Sequence, residues 1–300
     1  MGIRENIESI RAELEQELQR LDDVKQLEEA RQRVLGKKGS LTALLRSMGQ
    51  LSHEERPAAG QMINAGRERI SAMLDEVLSA LTGLGFDVVE GPEIELDHYN
   101  FELLNLPKNH PARDAQDTFY VDDSIVLRTH TSPVQARTML SRKPPIRIAC
   151  PGRVFRADEV DATHSPVFHQ IEGLVIDKDV NMGDLKGTLD ALFKRLYGDD
   201  IETRFRPSFF PFTEPSAEVD LTCISCRGKG CRMCKGTGWI EVLGCGMVNP
   251  KVLTMCGIDP NEYTGFAFGI GLERITMLRY GIKDMRLLYE GDERFLRQFR

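Results

Sequence analysis

The spacing of apolar residues changes once along this chain of 300 residues, near Gly85, and the change separates two kinds of predicted structure. From Ile3 onward apolar residues recur at helical spacing, and Pro57 opens a further helix that runs to about Leu84. This period, with charged residues in between, is typical of amphipathic helices. We therefore expect residues 1–84 to form an N-terminal helical arm of the coiled-coil type.

Short strand-like runs dominate the chain beyond Gly85, and few helical patterns intervene. These runs cover residues 125–127, 146–156, 168–176, 202–207, 239–243 and 264–270. One clear helix, residues 184–197, carries an apolar stripe and should cover the core. Strands joined by hairpin turns favour an antiparallel sheet flanked by helices over a parallel, doubly wound sheet. The predicted fold class is therefore α+β, with residues 85–300 as the second domain.

Charge and hydropathy exclude several classes of protein. Lys and Arg number 39 against 46 Asp and Glu, so a net charge of −7 gives no overall attraction to nucleic acid or to anionic lipid. No run approaches the ~18 apolar residues of a membrane helix, and the charged N-terminal stretch is unlike a signal peptide. We expect a cytoplasmic protein that does not contact a membrane.

Four of the seven cysteines lie within one short segment, residues 221–238. Cys223, Cys226, Cys231 and Cys234 form a C-x-x-C-x-G-x-G pattern that occurs twice. Two such knuckles supply the four thiolates that tetrahedral zinc prefers, and a closed shell of four leaves no position for water. The repeat is similar to the zinc modules of DnaJ-type chaperones and predicts a structural Zn²⁺ site, with iron and metal-free thiols as the alternatives.

Polar side chains are predicted on the inner face of a long hairpin formed by residues 146–156 and the strand from Phe168. Alternation places Phe168, Gln170 and Glu172 on one side of that strand. A purely structural buried strand seldom carries an amide and a carboxylate there, so the pattern indicates a binding site. A solvated face with apolar partners opposite is the alternative.

Two further segments carry unusual aromatic and polar residues. In the run from Phe209 to Pro215 two prolines argue against a central strand, and Phe210 and Phe212 share one side of an extended chain. Core filling is the alternative for these rings. Ser132, before Pro133, is predicted to cap the N-terminus of a helix. This capping role gives no reason for a histidine at position 130, two residues earlier, so His130 is a candidate binding residue.

A glycine-rich strand from Gly265 enters a helix whose first turn contains Arg274. The helix dipole disfavours a cation at that position, which points to function. The chain has neither a Gly-x-x-x-x-Gly-Lys-Ser/Thr loop nor a Gly-x-Gly-x-x-Gly turn, so an ATP site of those kinds is excluded.

Together these segments resemble a class II aminoacyl-tRNA synthetase, and in particular the bacterial phenylalanyl-tRNA synthetase alpha-subunit family, over nearly all of residues 85–300. The matching blocks are DTFYVDDS, LRTHTSP, PPIRIACPGRVFR, THSPVFHQIEGL, FRPSFFPFTEPSAEVD, EVLGCGMVNP and GFAFGIGLERITMLRYGI. Asp158 departs from the class pattern, which has glutamate there. Residues 221–238 are an insertion relative to the family.

The resemblance implies a class II fold and an ATP-dependent ligase that forms phenylalanyl-adenylate and transfers the acyl group to tRNA(Phe). The resemblance assigns five residues to the ATP site. Arg156 would contact the α-phosphate, His164 would contact the distal phosphates, and Phe168 and Arg274 would sandwich adenine. Asp158 is the fifth residue of this site. Glu214 would hold Mg²⁺, which prefers oxygen ligands. The polar end of phenylalanine would contact His130, Ser132, Gln170 and Glu172, and its ring would contact Phe210, Phe212 and Ala267.

In this family the alpha subunit pairs with a larger beta subunit in an α2β2 heterotetramer, so the resemblance implies that partner. The arm is shorter than in the family pattern. Two interpretations of Lys37 and Lys38 at its tip therefore stay open: tRNA binding and a plain solvated turn. Two other functions stay open: a class II paralogue that activates another acid, and a non-enzymatic scaffold of coiled coil and zinc module.

Overall fold

The computed structural model describes residues 55–114, 118–282 and 284–289. The chain divides into two units, Met1–Asn64 and Ala65–Arg300. Helix α1, Glu55–Gly83, confirms the helix predicted from Pro57, and it buries Ile70, Met73 and Val77 along one stripe. The helices predicted upstream lie outside the described residues.

The remaining elements follow in a strand-rich order. The first part contains β1 Asp87–Val88, β2 Ile94–Leu96, α2 Asp97–Asn100, a 3-10 helix Glu102–Leu104, α3 Pro111–Asp114, β3 Tyr120–Asp122 and β4 Ile125–Leu127. The central part contains α4 Ser132–Ser141, β5 Ile146–Phe155, β6 Val167–Asp177 and α5 Met182–Tyr197. The last part contains β7 Thr203–Phe210, β8 Thr213–Thr222, β9 Trp239–Val248, α6 Pro250–Met255, β10 Thr264–Gly271, α7 Leu272–Tyr280 and a 3-10 helix Met285–Leu288.

One seven-stranded sheet organises these elements, in the order β1-β5-β6-β10-β9-β8-β7. Only the short β1 runs parallel to its neighbour, and the other pairings are antiparallel. A second, three-stranded sheet has the order β2-β4-β3. The predicted α+β class is therefore confirmed.

The long hairpin is formed by β5 and β6, which pair from Ile146 opposite Ile176 to Phe155 opposite Val167. Helix α5 buries its apolar stripe as predicted, including Leu185, Leu189 and Leu192. It starts at Met182 because Asn181 and Asp184 form a reciprocal capping box there. Within the stretches that the structure covers, no helix is long and apolar enough to cross a membrane.

The prediction that prolines keep Phe209–Pro215 out of a central strand is wrong in part. Pro211 lies between β7 and β8, but Pro215 lies within β8, which has a neighbour on both sides. The pairing of β8 with β9 shifts register between Thr213 and Ser216. Because a bulge leaves one residue unpaired, the missing N–H of Pro215 costs no ladder bond.

Candidate active site

A cavity of about 750 Å³ lies against strands β6, β8, β9 and β10. Its lining brings together most of the residues that the resemblance assigned to phenylalanine and ATP, namely His130, Ser132, Arg156, Asp158, His164, Phe168, Gln170, Glu172, Phe210, Phe212, Ala267 and Arg274. Glu214 is exposed and is not among the residues that line it. Lys37 and Lys38 lie outside the described residues.

Glu172 sits at the centre of a set of hydrogen-bond donors. Its carboxylate accepts bonds from the Ser132 hydroxyl at 2.6 Å, Gln135 Nε2 at 2.9 Å and the Thr131 N–H at 3.2 Å. The side chain is buried, and burial raises the pKa of Glu172 to about 7 despite these donors and the nearby cation of Arg156. The carboxyl group can therefore change its charge near neutral pH.

His130 is buried beside this carboxyl group. Its Nε2 donates to the Asn100 carbonyl at 2.9 Å, and its Nδ1 lies 2.7 Å from the Ser132 hydroxyl. Burial lowers the pKa of His130 to about 4, so the ring is neutral at pH 7. The predicted N-cap role of Ser132 is wrong: Thr131 occupies that position, α4 has no side-chain cap, and the hydroxyl serves Glu172 instead.

The rings of Phe210 and Phe212 form one wall of the cavity. Their centroids are 5.8 Å apart with planes within 7°, and Phe212 also stacks on His130 at 6.1 Å. Gly244 provides the space for this wall, because a Cβ there would lie 2.7 Å from Cζ of Phe210. Ala267 on β10 also lines the cavity, so this part is apolar and limited in size.

Arg156 lies over the ring of Phe168, with its guanidinium carbon 5.1 Å from the ring centroid. Its Nε donates to the Thr129 carbonyl at 3.1 Å, which fixes the fork. Its two terminal nitrogens bond to none of the described residues and can bind an anion. Burial lowers the pKa of Arg156, but a guanidinium remains charged.

Two further polar side chains lie at the rim of the cavity. Arg274 is exposed in the first turn of α7, and His164, in the β5–β6 loop, has its Nδ1 2.9 Å from Asp161 Oδ2. In the described part of the chain Phe168 contacts Arg156 rather than Arg274, so the sandwich of adenine between Phe168 and Arg274 stays a prediction.

Gln135, Glu273 and Lys235 are among the lining residues that the sequence did not predict. Gln135 follows Ser132 by three positions, so helical spacing could have placed both on one face of α4. Glu273 is buried on α7 and accepts hydrogen bonds from the N–H and the ring of His169. Lys235 belongs to the cysteine-rich segment, and no local pattern connects it with the cavity.

The four predicted metal ligands come together. The sulfur atoms of Cys223, Cys226, Cys231 and Cys234 lie within 4.8 Å of one another, so this cluster can bind a metal. Three of the Sγ–Sγ distances are 3.7, 3.8 and 3.8 Å. These distances are far too long for disulfides, whose sulfur atoms are about 2.05 Å apart.

Backbone N–H groups surround the cluster. Gly230 donates to Cys226 Sγ and Gly238 donates to Cys234 Sγ, each at 3.2 Å. Burial opposes ionisation of Cys234, but the N–H groups of Cys231 and Gly238 prevail and lower its pKa to about 6. Glycine is required at both knuckle ends: Gly230 and Gly238 have φ of +87° and +79°, and a Cβ would meet a carbonyl oxygen at 2.7 and 2.5 Å.

The sequence matches two family models over most of its length. One, described as "tRNA synthetases class II core domain (F)", covers residues 56–299, and the other, "Aminoacyl tRNA synthetase class II, N-terminal domain", covers residues 22–83. The phenylalanine-tRNA ligase alpha subunit of Acetivibrio thermocellus is 53% identical over 339 positions, which cover 99% of this chain and 100% of that protein. The chain belongs to the phenylalanine-tRNA ligase alpha-subunit family.

Two further members of the family are similarly close. The alpha subunit of Caldanaerobacter subterraneus is 50% identical over 339 positions, covering 99% of this chain and 100% of that protein. That of Clostridium perfringens is 52% identical over 325 positions, covering 94% and 96%. Family membership confirms the predicted class II synthetase fold and makes the chain an aminoacyl-tRNA ligase. Because 339 aligned positions exceed 300 residues, the first two relatives carry residues that this chain lacks.

Proposed function

We propose that this chain is the catalytic alpha subunit of a phenylalanine-tRNA ligase, which joins phenylalanine to tRNA(Phe) with ATP. The observation that carries the proposal is the buried carboxyl group of Glu172 in the same cavity as the stacked rings of Phe210 and Phe212. A carboxylate suits an ammonium group, and an aromatic wall suits a phenyl ring. The substrate therefore has both features, as an aromatic amino acid does.

In this proposal the ammonium group of phenylalanine binds Glu172 and Gln170. The Oε1 atom of Gln170 is buried without a hydrogen-bond partner in the described structure, and an acceptor left in that state indicates a missing donor. The Ser132 hydroxyl, Gln135 Nε2 and the Thr131 N–H hold the Glu172 carboxylate in place. Ala267 limits the depth of the pocket for the ring.

The first reaction joins a carboxylate oxygen of phenylalanine to the α-phosphorus of ATP, and the bond to the bridging oxygen breaks as pyrophosphate leaves. Arg156 would bind the α-phosphate with its free nitrogens and stabilise the added negative charge. Mg²⁺ bound to ATP would neutralise part of the phosphate charge. We assign no step to Glu214, which is exposed outside the cavity lining, and its role as a Mg²⁺ ligand remains a proposal.

The second reaction transfers the acyl group to a hydroxyl of the terminal ribose of tRNA. A ribose oxygen attacks the carbonyl carbon, the bond to the phosphate oxygen breaks, and AMP leaves. The relatives are named alpha subunits, which supports a complex of this chain with a beta subunit; the α2β2 stoichiometry is part of the proposal.

Zinc is the metal that we propose for the cysteine cluster. Four thiolates at the usual Zn–S distance of about 2.3 Å form a tetrahedron with edges of about 3.8 Å. The three Sγ–Sγ distances of 3.7, 3.8 and 3.8 Å agree with that edge. Since four thiolates fill the coordination shell, the ion would stabilise the insertion and take no part in the reaction.

The decisive experiment is pyrophosphate exchange with each of the twenty amino acids, run on the chain assembled with its beta subunit, followed by tRNA charging. We expect exchange with phenylalanine alone and charging of tRNA(Phe). Exchange with a different acid would establish a paralogue of other specificity, and no exchange with any acid would favour the scaffold. The chain without its partner is expected to be inactive.

A further inference from the structure

Lys235 connects the cysteine-rich insertion with the substrate cavity. It directly follows Cys234, its side chain is exposed, and it lines the cavity although the sulfur atoms do not. Turn hydrogen bonds on both sides fix its backbone, from the Lys235 N–H to the Arg232 carbonyl and from the Gly236 N–H to the Cys231 carbonyl. The knuckle therefore holds this lysine at the cavity.

The sheet order shows which end of the cavity Lys235 approaches. Strand β9 begins at Trp239, directly after the insertion, and runs antiparallel to β10, which ends at Gly271 before Arg274. Gly271 in turn pairs with Gln170, near the start of β6 and the loop that carries His164. The insertion thus lies at the end of the cavity with Arg274 and His164 rather than at the end with Phe210 and Phe212.

The repeat within the insertion supplies an internal comparison. Arg227 occupies in the first knuckle the position that Lys235 occupies in the second, and their φ angles are +50° and +49°. Arg227 forms an ion pair with Asp200 at 2.7 Å. Lys235 has no ion pair or side-chain hydrogen bond with any residue that the structure describes, so its charge remains available to a ligand.

Two carboxylates of the same lining, Glu218 and Glu241, already pair with another cation. Arg206 lies 2.9 Å from Glu218 and 2.8 Å from Glu241. Because Lys235 pairs with no described residue, a ligand can supply its partner. At a site that accepts ATP and the end of a tRNA, the anion that both bring is phosphate.

We propose that Lys235 binds a phosphate group of a substrate at the mouth of the cavity, and that the cysteine knuckle serves to hold it there. This inference rests on the function proposed above. Lysine acts as a point charge on phosphate, without the directional fork of arginine, which suits a ligand that arrives and leaves in each cycle.

The test compares Lys235→Met with Arg227→Met, the matched variant in the first knuckle, in the complex with the beta subunit. Calorimetry gives the Kd of ATP, pyrophosphate exchange gives its KM, and aminoacylation gives the KM of tRNA. We expect Lys235→Met to raise the ATP constants about fivefold to tenfold, as for loss of one hydrogen bond or ion pair at a solvent-exposed position. Lys235→Arg should restore most of the loss, and Arg227→Met should match the wild type.

The two phosphate sources give different results. A loss in the ATP measurements identifies the nucleotide, and a loss confined to the KM of tRNA identifies a phosphate of the tRNA; either supports the inference. Unchanged constants in both measurements for Lys235→Met would overturn it. Since the wild-type complex is measured alongside, a failure of that complex to charge tRNA would instead count against the proposed function.

Discussion

Ser132 and Glu172 share a hydrogen bond of 2.6 Å, and the same hydroxyl also lies 2.7 Å from Nδ1 of His130. The other ring nitrogen of His130 must carry a proton, because its partner is the Asn100 carbonyl. A neutral ring then has an acceptor at Nδ1, and the single hydroxyl proton of Ser132 cannot satisfy both neighbours. All three bonds form together only when Glu172 is protonated.

This arrangement predicts that phenylalanine binds with release of a proton. Glu172 must be ionised to pair with the ammonium group, and its pKa is raised to about 7, so affinity should fall as the pH drops below about 7. The other groups that face it keep their charge between pH 6 and 8: Arg128 and Arg156 stay cationic, His130 stays neutral, and the Cys150 thiol has a pKa raised by burial. Calorimetry at pH 6 in two buffers of different ionisation enthalpy should show release of close to one proton. Equal heats in both buffers would contradict the prediction.

Ala267 lines the cavity, and in the proposed function it limits the size of the ring that the pocket accepts. We expect Ala267→Gly to admit para-chlorophenylalanine, with a gain of about tenfold or more in kcat/KM for that analogue, because a hydrophobic pocket selects mainly by volume. Pyrophosphate exchange measures the change. Ala217→Gly is the control, since Ala217 is buried in β8 but does not line the cavity. Unaltered selectivity in Ala267→Gly would remove Ala267 from the pocket floor.

Gly244 permits the position of Phe210. In Gly244→Ala the new Cβ would lie 2.7 Å from Cζ of Phe210, so the ring must move away from its place against Phe212. We expect the KM of phenylalanine to rise about tenfold, while the KM of ATP changes little. Gly187→Ala, on α5 with no atom near the added Cβ, should leave both values unchanged. A normal KM for phenylalanine in Gly244→Ala would show that the wall tolerates displacement.

Metal content can be measured directly. Native mass spectrometry should show one Zn²⁺ per chain, and Cys226→Ser should lose the ion and lower the melting temperature, since structural zinc contributes directly to folding free energy. Ser225→Ala, an exposed neighbour in the same knuckle, should keep both properties. A native chain that carries iron, or no metal, would refute the assignment to zinc.

Alternation along a strand was enough to group Phe168, Gln170 and Glu172, because side chains two apart share a face whatever surrounds them. The same argument placed Phe210 and Phe212 side by side. Spacing also brought the four cysteines together, since two short chelating turns leave little freedom. Local pattern is therefore a sound guide where the contacts are local.

Predictions from local sequence pattern were wrong where a residue distant in sequence binds the same side chain or alters the strand pairing. Ser132 has the sequence of an N-cap, but Glu172, forty positions away, takes its hydroxyl. Pro215 was placed outside any central strand, and the register shift between β8 and β9 accommodates it. The approach of Lys235 to the cavity depends on strand order, which no single segment encodes.

The cysteine-rich residues 223–238 connect two paired positions, because Thr222 and Trp239 face each other across β8 and β9. Antiparallel partners lie only about 5 Å apart, so any segment that closes this short span can connect the two strands. We therefore expect that residues 223–238 can be replaced without disturbing the two strands. A short hairpin turn grafted in their place should leave the strand register intact while it removes the cysteines and Lys235 together.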